Sequence, residues 1–398
     1  MGLTRYAIAA TLARLADEML GVAVVLLVLG RGGGAALAGA AVAGYTLPAV
    51  LTGPVLGAWL AGTPRPRFAL LANEVVLAGV ATGLVFGVGR VPAVLVVGLT
   101  MVAGVCLPLT SGGFSSLVPR LVGTAGLARA NIVDAATFNV AALGGPAVAG
   151  VLAGTVGPAT AVLGIAVSAG LGALATVVLP VGPALGGGPA LLDTTRAGLR
   201  HLVCTPPLRA ATLTTMLSSG CTGLLVVALP VHAVRVGARA ADAGLLWAAL
   251  EAGAIAATVL ISPRLRKRRP ERVVFAGVAG FGLLVAVWPV ATDFGWLVAL
   301  VVLAGVAQGP VLPAVFGARQ RYSPGPLLAQ VSTTGASLKI AAFAIGSALG
   351  GQLVPGLGSA RVLLLVAAGQ LVAAAAGRFT TSDGPVPAPS DAPARTGR

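Results

Sequence analysis

Five ionisable side chains fall inside long apolar runs of the sequence: Arg14, Asp17 and Glu18 in the first run, Glu251 in a later one and Lys339 near the end. At the centre of a lipid-embedded helix each costs about 2.5–3.5 kcal/mol, or roughly 12–18 kcal/mol for five that face lipid. They must therefore face a protein interior, pair with one another, or exchange protons. Arg14 reaches Asp17 at i+3 or Glu18 at i+4. Asp17 and Glu18 point about 100° apart on a helix, so one can pair with Arg14 while the other lines a cavity, where it can bind and release a proton. A plain buried ion pair that orients the first helix fits the same spacing. Glu251 and Lys339 lie on different runs. Either they pair with each other, or Lys339 meets a carboxylate of the first run. A midplane lysine points to a substrate or gating role by default, with a structural ion pair as the alternative. Glu74 and Asp134 sit within about two turns of the ends of their runs, where snorkelling to the interface is cheap. Asn131, Asn139 and Gln308 are expected to hydrogen-bond between helices.

The runs that carry these residues fill the chain. Of 398 residues, 57% are hydrophobic and 9% are charged, against about 25% charged in soluble proteins. Such a chain has no solvated exterior to offer, and lipid is the solvent that suits it. The net charge of +15 sits in short Arg clusters between apolar runs. These lack the aromatic interleaving of a nucleic-acid surface and read as topology signals, so no nucleic-acid partner is expected. Cys106, Cys204 and Cys221 show neither metal-ligand spacing nor a disulfide framework. His201 and His232 stand in no HExxH context, and there is no phosphate-binding P-loop. No nucleophile, base or metal-ligand cluster marks an enzyme, and no metal or organic cofactor is expected.

Helices of about twenty residues span a bilayer. The apolar runs predict an all-α integral membrane protein with twelve spans, at 5–29, 35–61, 68–89, 91–113, 131–154, 158–180, 208–231, 241–262, 273–291, 294–317, 327–350 and 358–377. The first is expected to be an uncleaved transmembrane helix, because Arg14, Asp17 and Glu18 interrupt it and it leads straight into a second span. Arg65, Arg67, Arg120, Arg129, Arg196, Arg200, Arg209, the cluster Arg264 to Arg272, Arg319 and Arg321 all fall on one side, with both termini. The positive-inside rule makes that side cytoplasmic. Residues 181–207 change character: a Gly- and Pro-rich stretch precedes Leu192, Leu199, Leu202 and Val203, which share a helical face away from Arg196 and Arg200. This fits either an interfacial helix or a solvated linker. The organisation expected is a six-helix bundle over 1–180, a cytoplasmic linker over 181–207, a second bundle over 208–378, and a disordered cytoplasmic tail over 379–398. An offset near 201 places 145–150 on 346–351, Arg65 and Arg67 on Arg266 and Arg268, and Pro108 next to Pro310. Repeated halves of this kind build many secondary transporters.

Several segments resemble the major facilitator superfamily, in particular bacterial drug and metabolite exporters. They are LARLADEM at 12–19, GPVLGAWLAGTPRPR at 53–67, ARANIVD at 128–134, GGPAVAG at 144–150 and GLRHLVCTPPLR at 198–209. The resemblance implies two pseudo-repeated six-helix bundles with spans 1, 4, 7 and 10 around a central cavity. It implies a gating loop after span 2, here Gly53, Gly57, Arg65 and Arg67, with Ala61 where the family carries an acid. It implies an antiport-like motif in span 5, here Gly145, Pro146 and Gly150. Span 4 lacks the family's arginine. The function so implied is proton-driven export of a small amphiphilic compound, with the proton gradient as energy source. Proton-coupled uptake of a metabolite is the alternative, and a non-transporting sensor or enzyme a remote one. A monomer in the bacterial inner membrane, with both termini cytoplasmic, is expected.

Overall fold

A computed structural model describes residues 2–63, 66–122, 127–179, 191–265 and 267–381. Its helices are α1 (Gly2–Gly30), α2 (Gly34–Gly62), α3 (Pro66–Gly87), α4 (Ala93–Pro108), α5 (Phe114–Leu121), α6 (Leu127–Thr155), α7 (Pro158–Val177) and α8 (Leu191–Cys204). The second part holds α9 (Pro206–Arg235), α10 (Ala243–Leu260), α11 (Ser262–Leu265), α12 (Pro270–Val285), α13 (Phe294–Gln308), α14 (Val311–Tyr322), α15 (Gly325–Leu357) and α16 (Ser359–Thr380). The described residues contain no strand. Among the described residues, ten segments are long and apolar enough to cross a membrane. Two further passages complete twelve. α1 has the length, 29 residues, but carries four charges. The fourth passage is α4, a π-turn at Leu109–Gly113, and α5. Pro108 closes α4 just before that turn. Proline offers no amide to the ladder, and the extra residue of a π-turn absorbs the mismatch. Gly309 and Pro310 interrupt the tenth passage with a turn between α13 and α14. Passages 4 and 10 therefore run to residues 121 and 322, beyond the ends expected from the apolar runs.

Side-chain exposure identifies the solvent. Leu51, Val94, Leu174 and Val372 point outward, each more than 60% exposed. In water a surface carrying so many large apolar side chains would aggregate. In hydrocarbon it is the natural exterior.

Each half repeats one packing scheme. α1 packs on α6 and α7, α3 on α7, and α2 on α4. In the second half α9 packs on α15 and α16, α12 on α16, and α10 on α13. The turns agree with the offset near 201. Gly157, between α6 and α7, has φ +134°, and Gly358, between α15 and α16, has φ +78°. Both are left-handed positions where any other residue is strained.

The halves meet through α2 with α15 and α6 with α10. Their closest approaches gather at the end opposite the termini, where α2 and α10 begin and α6 and α15 end. A side-chain carbon on Gly39 would come 3.0 Å from the Gly351 Cα, and one on Gly150 would come 2.7 Å from the Ala241 carbonyl oxygen. Only glycine lets the backbones come so close.

Between the halves, residues 180–190 lie outside the described set. α8 follows, and its apolar face is split where the sequence suggested one stripe. Leu202 is buried against Leu208, Ala211, Ala318 and Val331, while Leu199 and Val203 are exposed beside the exposed Arg196 and Arg200. Leu192 lies among residues whose side chains are not described. Of the expected tail, 382–398 also lies outside the described set.

Candidate functional site: a cavity between the halves

Arg14 does not pair with Asp17 or Glu18, the partners its spacing suggested. α1 turns that face toward α6, and the Arg14 Nη1 meets Asp134 Oδ1 at 2.8 Å. The same nitrogen donates to the Asp134 carbonyl at 3.1 Å and to Thr137 Oγ1. Nη2 donates to Ser115 Oγ at 3.0 Å, and Ser115 Oγ donates to Asp134 Oδ2 at 2.7 Å. Tyr6 adds a hydroxyl donor to Asp134 Oδ1 at 2.5 Å. The guanidinium lies 3.5 Å from the centroid of the Phe138 ring. Arg14 is 2% exposed, and this shell of acceptors makes its burial tolerable. Asp134 therefore does not snorkel to the interface; it holds α1, α5 and α6 together.

Asp17, partly exposed, accepts a hydrogen bond from the Tyr45 hydroxyl of α2. Its carboxylate is near enough to Glu18, Glu74 and Arg14 to feel their charges. Glu18 is exposed within the bundle and interacts electrostatically with Glu251 of α10, in the other half. Glu74 is fully buried rather than snorkelling. Asn73 Nδ2 donates to its Oε1 at 3.2 Å and to Thr110 Oγ1 at 2.9 Å, while Glu74 Oε2 has no hydrogen-bond partner.

The span 5 motif serves as a crossing surface. A side-chain carbon on Gly145 would lie 2.6 Å from the Glu18 Cβ, so α6 can pass α1 there only as glycine. Pro146 presents its carbonyl to Gly244 of α10, and Gly150 packs on the same glycine. One turn further, Arg239 Nη1 donates to the Gly154 carbonyl at 2.8 Å, and its Nη2 pairs with Asp242 at 3.1 Å. Of the residues expected in the gating loop, Gly53 and Gly57 lie within α2 and Arg67 within α3, because the helices extend further than the loop signature suggests; Gly53 faces Pro108 at ordinary contact distance. Arg67 is exposed, 5.4 Å from the Phe68 ring centroid. Arg65, and the surroundings of Gly57 and Ala61, lie outside the described residues.

Lys339 lines a cavity of about 350 Å³ to which both halves contribute. Thr46 and Leu107 come to it from the first half; Ser219, Phe316, Arg319 and Phe343 are among those from the second. Its helices are α2, α4, α9, α14 and α15, so α2 and α15 join the fourth, seventh and tenth passages there, and α1 contributes none of its lining. Lys339 and Glu251 interact electrostatically, but among the described residues they form no ion pair within 4.0 Å. Arg319 is the residue sequence reasoning missed. It counts as a cytoplasmic-side arginine when topology is read from charge, yet it is 5% exposed and shares the cavity wall with Lys339. The readable signal was its place within one turn of the apolar Val311–Phe316, too deep for a loop residue.

A model of the Major Facilitator Superfamily matches residues 6–333, and the chain belongs to this superfamily. It is 29% identical over 362 residues to an uncharacterized MFS-type transporter, y4rN, of Sinorhizobium fredii (strain NBRC 101917 / NGR234), covering 89% of this chain and 88% of that protein. The fold is similar to that of the nucleoside transporter NupG, with a TM-score of 0.82 at 12% identity over 96% of this chain and all of that one. It is also similar to a bacterial homolog of the human lysosomal transporter Spinster in an inward-facing, unoccupied conformation, with a TM-score of 0.72 at 13% identity over 95% and 96% of the two chains. At these identities the structural likeness is one of fold. The chain is a multi-pass membrane transporter of the secondary type.

Proposed function

We propose that this protein exports a small amphiphilic organic compound from a bacterial cytoplasm in exchange for protons, by alternating access. The observation that carries the reading is the cavity itself, which residues of both halves line while glycine crossings close the end opposite the termini. With the arginine-rich side cytoplasmic, that geometry is the inward-facing member of a two-state cycle. Proton exchange needs a carboxyl group whose surroundings differ between the two states. Glu18 meets that requirement: its neighbour Gly145 belongs to its own half, and its like-charged neighbour Glu251 to the other. Rocking the halves changes the electrostatic interaction with Glu251 and leaves the packing on Gly145. Asp17, beside it and held by Tyr45, is the second proton-handling candidate. The lining is mostly apolar with few polar groups, which suits lipophilic solutes. The protein is expected to work as a monomer.

The test is efflux of a panel of fluorescent lipophilic dyes from cells that express the chain, with and without a proton uncoupler. The wild-type protein should lower dye retention, and the uncoupler should restore it. The double variant Asp17→Asn, Glu18→Gln should lose the uncoupler-sensitive component while keeping its detergent-solubilised elution profile. Equal uncoupler-sensitive efflux in variant and wild type would remove proton coupling from the proposal.

A further inference from the structure

The charges on the wall of the central cavity are both positive. Among its described lining residues the charged ones are Arg319 and Lys339; Asp17, Glu18 and Glu251 are not among them. Arg319 is more than nine-tenths buried, and its Nε has no hydrogen-bond partner among the described residues. No carboxylate of a described residue lies within ion-pair distance of Arg319 or Lys339. The Phe316 ring centroid lies 5.9 Å from the Arg319 guanidinium. Buried cations are as a rule paired.

The first half shows what a paired one looks like. Its buried arginine, Arg14, has Asp134. The repeat offset near 201 puts Gly335 in the position of Asp134. Gly335 lies directly under the Arg319 guanidinium: a side-chain carbon there would come 3.2 Å from Arg319 Cζ. The same offset puts Thr215 at the position of Arg14 and Val118 at that of Arg319, so the second half brings its buried cation from another helix, α14, onto the position where the first half has its acid, beside a cavity that also receives Lys339.

We propose that Arg319 and Lys339 bind the anionic group of the transported solute, so that the substrate is an organic anion with a compact apolar body. A guanidinium and an ammonium on one wall suit a carboxylate, sulfonate or phosphate. Leu107, Leu312, Ile340, Phe316 and Phe343 receive the apolar part. Thr46 and Ser219 supply hydroxyls at the same wall. This inference rests on the transporter reading above for the word substrate, but not on its direction or on proton coupling.

The experiment measures binding to the purified full-length protein in phosphatidylcholine nanodiscs, with no gradient, by calorimetry and thermal shift. The probes are phenylacetate, its neutral amide phenylacetamide, and the phenethylammonium cation. Phenylacetate should bind about tenfold or more tighter than the amide, the worth of one or two charge-assisted hydrogen bonds, and phenethylammonium should bind weakest. Arg319→Gln and Lys339→Gln should each abolish the preference for phenylacetate over the amide. If a variant does not fold, the ranking of the three probes on the unaltered protein still decides. A cation bound as well as the anion, or the preference retained in both variants, would overturn the proposal. Repeating the titration with phosphatidylglycerol in the nanodisc separates the sources of anion: competition assigns the site to a lipid headgroup, and no competition to a free solute. Uncoupler-insensitive efflux would overturn proton coupling while leaving these binding results intact, so the two failures can be told apart.

Discussion

The two halves of this transporter share a packing scheme and differ in how each treats its buried arginine. In the first half Arg14 is locked to Asp134, Tyr6, Ser115 and Thr137, a closed network that joins three helices. In the second, Arg319 lies over Gly335 with no carboxylate among the described residues to answer it. The same backbone position carries an acid in one half and nothing beyond Cα in the other. Pairings between helices are set by small-residue contacts and shape, which a repeat can preserve through wide sequence change. Electrostatic partners are single side chains, and here both cation and acid positions differ between the halves: Thr215 and Gly335 stand where the first half has Arg14 and Asp134, and Arg319 comes in from α14. The first half reads as the scaffold, the second as the place where a charged group can be received.

The largest test of this contrast is Asp134→Ala. Removing one partner of a buried pair should destabilise the protein by about 3–5 kcal/mol, since Arg14 is left without its counter-charge. Thermal unfolding in detergent would measure this. The double change Arg14→Met, Asp134→Leu should recover most of the loss, and a small effect of the single change would show that the network is not structural. The next concerns the crossing that joins the halves. Gly39→Val forces a side chain against Gly351 and should cost the far-end-closed state about 1–3 kcal/mol. A cysteine introduced by Ala35→Cys should then react faster with an impermeant maleimide. An unchanged rate would mean that this crossing does not hold the end shut.

Smaller effects sharpen the comparison. Gly335→Asp gives the second half the counter-ion that the first already has. Arg319 touches Gly335 with the mobile end of its side chain, so the new carboxylate can be accommodated, with a gain in stability of about 1 kcal/mol. Phenylacetate binding should fall at the same time, which a calorimetric titration reads directly. The smallest expected effect is that of Phe138→Leu. It keeps apolar volume but removes the ring face beneath Arg14, for a loss of about 0.5–2 kcal/mol in detergent unfolding.

The fold class was legible because span-length apolar runs leave little choice of solvent or secondary structure. The places where helices break were harder to see: at Pro108 and at Gly309–Pro310 the apolar pattern continues through the interruption, so hydropathy places the end of the passage too early. The partner of Arg14 was hidden by a competition between local and distant contacts. Helical spacing offers Asp17 and Glu18, but packing of α1 on α6 decides in favour of a residue 120 positions away. A signal was present: Asp134, Thr137, Phe138, Ala141 and Gly145 form one stripe of α6, polar at one end and small at the other, as a face that receives a charged helix would be. Glu74 was misplaced for a related reason. Distance from a helix end says how far a side chain must reach for water, not whether a neighbouring helix stands in the way. The pairing or non-pairing of Lys339 depends on the arrangement of two halves about a cavity, which periodicity along one helix does not encode.

Where α2 meets α15 and α6 meets α10, the contact surfaces are bare main chain: Gly39 on Gly351, and Gly150 on Gly244. Interlocked side chains would have to change rotamer before such a seam could part. Such surfaces have little to unhook: apart from the Arg239 hydrogen bond to the Gly154 carbonyl, they lose shallow dispersion contacts as they separate. The seam can therefore roll apart as a hinge does, with little friction and without unfolding either wall.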